Sequence, residues 1–131
     1  MKILVGYDGS NVAKEALRLA KNRAKAFGAK VVVVTSMERS RELVYPKIEE
    51  AEKKLETEIK TFFAEDKIPF ETHVLLSLLT PGEDLVGYAQ VKAIDEIIIG
   101  IRRRSKIGKL VFGSTSQYVI LNAPCPVVSI K

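Results

Sequence analysis

Val31-Val32-Val33-Val34 sets four β-branched residues in a row with no polar residue among them. A strand with one wet face alternates apolar and polar side chains. A run without that alternation is buried on both faces, as in a parallel sheet covered by helices. Ile97-Ile98-Ile99, within residues 96–101, repeats the pattern. Working outward from these two runs, residues 3–6, 70–76 and 127–130 read as further short apolar strands.

The segments between them carry the helical period. Over residues 11–27, Ala13, Ala16, Leu17, Ala20, Ala24 and Phe27 fall on one face. Ser10 or Asn11 suits the cap before that helix, and Gly28 the left-handed position after it. Over residues 46–63, Ile48, Ala51, Leu55, Ile59 and Phe62 form the apolar stripe. Glu49–Lys53, Glu50–Lys54 and Glu56–Lys60 stand outside it in the favourable i,i+4 order. Thr80-Pro81-Gly82-Glu83 reads as a capping box with proline in the first helical position, opening a helix to about Lys92. Ser114 and Gln117 form a second candidate box, opening a helix to about Leu121 that Pro124 and Pro126 end.

The resulting order is βαβαβαβαβ. Short connections between alternating elements imply parallel strands, right-handed crossovers and helices on both faces of one five-stranded sheet, an α/β fold. Periodicity leaves the strand order open, but it locates a ligand. In such sheets the binding crevice lies beyond the carboxyl ends of the strands, at a switch point.

Size and composition narrow the function. The 131 residues suit one domain, residues 1–131, with a core that needs no staples. No apolar run approaches the roughly 18 residues that cross a bilayer. Lys2 leads straight into a strand and turn rather than a secretory leader. Cys125 is the only cysteine, so the expected setting is the reducing cytoplasm, with no membrane partner. A formal net charge of +5 would suit nucleic acid or a phosphorylated ligand, yet most basic residues lie in mixed-sign helices. The exception is Arg102, Arg103, Arg104, Lys106 and Lys109, with no acid among them. No aromatic residue is interleaved there, so a single-strand stacking platform is missing and nucleic acid is not the expected partner.

Two strand-to-helix loops carry the polar chemistry. In Gly6-Tyr7-Asp8-Gly9-Ser10, Asp8 can accept hydrogen bonds from ribose hydroxyls, and Ser10 can donate to a phosphate or help hold a metal. The same residues also serve as ordinary turn and cap. The second loop runs from Gly100 to Ser114 past the basic cluster, Gly108 and Gly113. A loop that long in a compact domain points to function. Gly113-Ser114-Thr115-Ser116 adds three hydroxyls where a helix N-terminus offers free N–H groups to an anion.

Nothing in the sequence forms a catalytic or metal-ligating set. His73, the only histidine, reads as structural, and one cysteine with one histidine makes no ordinary zinc site. Nothing marks Cys125, between two prolines, as a nucleophile. There is no G-x4-G-K-[ST] loop and no acid–base pair at an obvious spacing. The expectation is therefore not an enzyme, with slow ATP hydrolysis at most.

The spacing of the second loop resembles the G-x2-G-x9-G-[ST] motif of ATP-binding universal stress proteins, and the resemblance extends over essentially the whole chain. Gly100 matches the first glycine, Gly113 and Ser114 match the terminal pair, and Arg103 stands where the second glycine belongs. Residues 3–10 look like the family's opening strand and acidic turn, and Pro124-Cys125-Pro126-Val127-Val128 like its closing loop and strand. The resemblance implies a sheet order of 3-2-1-4-5, so that strands one and four flank the switch point and both loops meet there. It implies a stress-response regulator binding ATP, ADP or AMP, with or without Mg2+. The implied set is Gly6, Asp8 and Ser10, with Asp8 at the ribose, and Ser36, whose backbone would meet the adenine edge. Gly100, Arg103, Gly113, Ser114 and Ser116 would surround the phosphates. It also implies a homodimer, pairing the apolar edge strand 127–130 with its own copy to satisfy unpaired backbone groups. Three alternatives stay open: a dimeric adaptor that has lost the nucleotide, for which Arg103 is the argument; a slow ATPase or nucleotidyl-transferring enzyme; and nucleic-acid binding through the basic loop.

Overall fold

β1 (Lys2–Gly6) runs down the centre of a five-stranded parallel sheet, between β2 (Lys30–Glu38) and β4 (Glu96–Gly100). β3 (Phe70–Ser77) and β5 (Val127–Ile130) form the two edges, giving the order β3-β2-β1-β4-β5. Helices α1 (Asn11–Phe27), α2 (Tyr45–Phe63), α3 (Pro81–Val91) and α4 (Ser114–Asn122) make the connections. This is a computed structural model, and it describes residues 1–39, 45–77, 79–101 and 113–131. Among the described residues no helix is long and apolar enough to cross a membrane.

Both faces of the sheet are dry over β1, β4 and the valine run of β2, as the unbroken apolar runs require, while the edge strands β3 and β5 are half-buried. Ile3, Val5, Val31, Val33 and Ile98 pack with α1 and α2, while Leu4, Val32, Val34, Ile97 and Ile99 pack with α3 and α4. Burying each such side chain contributes about 1.5–3 kcal/mol, so the two faces together supply most of the driving force. α1 approaches closely because its buried face is nearly all alanine, with Leu17 as the one large side chain. Phe27 departs from the expected face: it is 57 % exposed and lies beneath the Arg23 guanidinium. It is the last residue before Gly28 turns the chain at φ 64°, past the limit of the core. α2 buries Leu55, Ile59 and Phe63, whereas Ile48, Ala51 and Phe62 are only partly covered. The stripe is shorter than read because α2 packs on the edge strand β3.

Ion pairing also differs from the expectation. Among the described residues the i,i+4 pairs of α2 are not closed. Most pairs that form join separate segments instead, Lys21 and Lys25 to Asp66, Arg23 to Glu96, and Lys30 to Glu71, with Arg18–Glu15 inside α1 and His73–Glu71 inside β3.

Caps at the helix starts fix which backbone N–H groups are satisfied locally. Ser10 caps α1, its Oγ accepting from the Ala13 N–H at 3.2 Å. Thr80 caps α3 by accepting from the Glu83 N–H at 3.3 Å, with Pro81 at the first helical position. The other half of that box is replaced: Thr80 Oγ1 donates to Glu83 Oε1 at 3.2 Å. The second expected box does not form. The N-cap of α4 is Gly113, whose carbonyl accepts from the Gln117 N–H at 3.0 Å, and no side chain caps the helix. Ser114 is thus the first helical residue, one position too late to act as the cap.

Candidate functional site

β1 and β2 do not end together. Gly6, the last residue of β1, pairs with Val34, while β2 continues alongside β3 to Glu38. The Tyr7 N–H donates to the Val34 carbonyl at 2.9 Å and is the last backbone-to-backbone link between the two among the described residues. Alternate residues of a parallel strand address alternate neighbours. Ser36, two past Val34, therefore turns its backbone N–H and C=O toward the side where β1 has stopped. On the other flank the chain leaves β4 at Gly100, and the Ile101 N–H donates to the Ile130 carbonyl at 2.7 Å. Between these two departures a cavity of about 260 Å³ opens at the carboxyl ends of the strands.

The first loop contributes Gly6, Asp8 and Ser10 to its walls, β2 contributes Ser36, and the other flank contributes Gly100, Gly113, Ser114 and Ser116. Every candidate residue in the described chain thus lines one cavity. Arg103, with the rest of the basic cluster and Gly108, lies outside the described residues.

Sequence reasoning missed the remaining walls: Tyr7 and Thr35 at the base, Val12 from α1, Pro81 and Leu85 from α3. These are apolar or locally bonded positions brought in by helix packing. A Cβ on Gly6 would stand 2.9 Å from Leu85 Cδ1, which is how closely α3 crosses the end of β1.

The turn and cap roles of the first loop are real and coexist with its place in the cavity. Gly9 sits at φ 80°, and Asp8 Oδ1 accepts from the Ser10 N–H at 3.0 Å. Because Ser10 Oγ acts as acceptor in the cap, its hydroxyl proton stays available to donate. At the other flank Ser116 is buried and its Oγ reaches the Gly100 carbonyl at 3.5 Å, tying the first turn of α4 to the end of β4.

The two glycines of the spaced motif differ in physical necessity. A Cβ on Gly100 would fall 2.9 Å from both Cγ atoms and the carbonyl oxygen of Val12, so α1 itself requires glycine there. Gly113 has φ −67° and ψ 160°, open to any residue, and a Cβ would meet nothing within 4 Å. Its missing side chain keeps open the space in front of α4. Among the described residues no side chain caps that helix, and its first N–H groups mark the positive end of its dipole beside the cavity.

Other polar groups lie elsewhere. His73 has a partner after all: its Nε2 stands 2.7 Å from Glu71 Oε2, with the Tyr88 ring 5.7 Å away. Hydrogen bonds from Lys30 first, and then His73, hold the Glu71 carboxyl down at about 2. Burial, reinforced by Asp95 and Glu96, pushes the Cys125 thiol up and disfavours the thiolate. Among the described residues no group of three His, Cys, Asp or Glu side chains is arranged to hold a metal ion.

Comparison with known proteins meets this geometry. The profile of the Universal stress protein family matches residues 1–131. A universal stress protein of Thermus aquaticus, from the 3' region of a QAH/OAS sulfhydrylase, is 37 % identical over 98 % of this chain and 97 % of its own. A solved universal stress protein of Archaeoglobus fulgidus superposes with a TM-score of 0.84 at 36 % identity, covering 100 % of this chain and 98 % of that one. A structure of the Archaeoglobus fulgidus protein in complex with dAMP gives a TM-score of 0.80 at 32 % identity over the same shares, 100 % and 98 %. Sheet order, motif placement and end-to-end similarity agree: the chain belongs to the universal stress protein family.

Proposed function

We propose that this protein is a stress-response regulator that binds an adenine nucleotide in the cavity at the carboxyl ends of β1 and β4. One observation carries the reading: polar residues far apart in sequence, chosen for their chemistry, line a single cavity in front of an uncapped helix. The dAMP complex of a relative with the same fold supports it. In this reading the Ser36 N–H and C=O meet the acceptor and donor of the adenine edge, and Asp8 takes the ribose hydroxyls. The phosphates lie against Ser10, Gly113, Ser114 and the first N–H groups of α4, with Gly100 and Ser116 behind them. Arg103 pairs with the phosphates, its fork suiting that geometry. Ser10 would help hold a Mg2+ that came with the nucleotide, the ion supplying charge neutralisation to the phosphates.

Regulation by ligand state needs no turnover, and we assign none beyond slow hydrolysis. A turnover near the usual enzyme median of roughly 10 per second would overturn that. The protein works as a cytoplasmic homodimer joined through β5. That strand is an edge, and Leu121 and Ile120 on the preceding α4 are 73 % and 42 % exposed. Nucleic acid is not assigned as the partner, because no aromatic residue is interleaved with the basic cluster from Arg102 to Lys109 to stack a base.

The test is to identify the small molecules that leave gently purified protein and then to titrate ATP, AMP and adenosine calorimetrically. Adenine nucleotide should co-purify, ATP should bind more tightly than adenosine, and Arg103→Gly should weaken that preference. Arg103 in place of glycine favours a second reading, the adaptor without nucleotide. It wins if the parent binds none of the three and Arg103→Gly gains ATP binding.

A further inference from the structure

We propose that Tyr7 is a positioning residue for the nucleotide site, its hydroxyl anchored by Glu58 of α2 so that the Asp8–Ser10 turn is held in place. Its consequence for binding rests on the reading above; the anchoring itself does not.

Tyr7 stands between Gly6 and Asp8, both in the cavity wall, and its backbone is held on both sides. Its N–H donates to the Val34 carbonyl at 2.9 Å, and its carbonyl accepts from Thr35 Oγ1 at 2.8 Å. Its ring is 6 % exposed, in the core between the sheet and α1 and α2, and its hydroxyl donates to Glu58 Oε1. A phenylalanine would serve that core as well, and what the part-buried hydroxyl adds is its bond to Glu58. The hydroxyl is therefore explained by its bond and not by packing. Burial first, then the bond to Glu58, raise its pKa, so it remains a donor through the neutral range.

α2 packs on β3, at the edge of the sheet, and the Tyr7–Glu58 bond reaches from it to the first loop. Losing it frees the ring to shift, and the next residue along the chain is Asp8. The Asp8 Oδ1 bond to the Ser10 N–H reports any such movement.

The experiment uses the full chain in five forms: parent, Tyr7→Phe, Glu58→Ala, Glu58→Gln and the double variant Tyr7→Phe/Glu58→Ala. Two quantities are read in each, the hydrogen-exchange rate of the Ser10 amide and the affinity for AMP. Removing either partner should speed Ser10 exchange and weaken AMP binding by about tenfold, the scale of one lost hydrogen bond. Glu58→Gln keeps an acceptor and should stay within about threefold of the parent, while the double variant Tyr7→Phe/Glu58→Ala should be no worse than either single one. Glu58 lies on an exposed stretch of α2, so its variants carry the test even where Tyr7→Phe unfolds. If melting temperature falls while Ser10 exchange and AMP affinity stay at parent values, the bond is a core contact only and the proposal fails. If the parent binds no AMP but Ser10 exchange follows the expected pattern, the nucleotide reading fails and the anchoring of the turn stands.

Discussion

At the amino ends of the strands charged side chains from distant segments close on one another, whereas at the carboxyl ends turn and cap bonds surround a cavity and leave backbone groups beside it without a partner among the described residues. Arg23 grips the buried Glu96 carboxylate through two bonds, at 2.5 and 2.6 Å. The Lys2 N–H donates to Asp95 Oδ2 at 2.7 Å, and Lys2 Nζ to the Lys92 carbonyl at 3.1 Å. At the opposite end α4 starts without a side-chain cap, β2 outruns β1, and Gly113 faces open space. Backbone groups need partners at both ends. One end finds them inside the chain and contributes stability; the other withholds them and makes a site.

The largest expected effect comes from placing a methyl group where the carboxyl end is already tight. Gly100→Ala should lower stability by about 2–3 kcal/mol through overpacking against Val12. Denaturant unfolding measures it, and an unchanged midpoint would mean α1 yields and the motif glycine is not a packing requirement. Next is Arg23→Ala at the amino end. It leaves the Glu96 carboxylate buried without its cation and should lower the melting midpoint clearly, with AMP affinity unchanged. An equal fall in affinity would show that the two ends are not independent. Gly113→Ala sharpens the contrast: stability within about 0.5 kcal/mol of the parent, but AMP binding weaker by about tenfold, or about 1.4 kcal/mol. Strong destabilisation with unaltered binding would reverse the roles assigned to the two glycines.

The smallest effect concerns Glu71, near the amino end of the edge strand β3. Its folded pKa of about 2 lies below the unfolded value of about 4.3, so its contribution is present above the unfolded value and is lost as pH falls toward the folded one. Glu71 and Lys30 are both more than a third exposed, so solvent screening limits the contribution to a fraction of a kcal/mol. Glu71→Gln should lose less stability than the parent between about pH 4.5 and pH 2. Parallel stability curves for the two proteins would remove the pair from the account.

Much of this was legible in the chain itself. Runs such as Val31 to Val34 have only one good solution, a strand covered on both faces, so helices, strands and their parallel sense come from period and length. The order of the strands does not, because crossovers of this length reach either neighbour; it came with the family resemblance. Asp8, Ser10, Gly100, Gly113, Ser114 and Ser116 were legible because glycine, serine and aspartate at loop ends carry local chemistry, whereas Ser36, inside β2, came with the family resemblance. What escaped depends on distances along the chain that no local pattern encodes. Val12 and Leu85 enter the cavity because α1 and α3 cross its floor. Glu96 is buried because Arg23, 73 residues away, meets it. The Ser114 box failed for a subtler reason: Gly113 already supplies the first carbonyl of α4, so Ser114 falls inside the helix.

The central place of β1 has a consequence for how the protein comes off the ribosome. Its register partners are about 28 residues away in β2 and about 93 away in β4. The first pairing needs only the amino-terminal portion of the chain, while the second waits until most of the chain has been made, and such distant pairings form slowly. The cavity takes one wall from residues 6–36 and the other from residues 81–116. A nascent chain that ends before β4 can thus build half a sheet but has no place for a ligand. On the proposed function, a nucleotide finds its site only once residues 81–116 have been made.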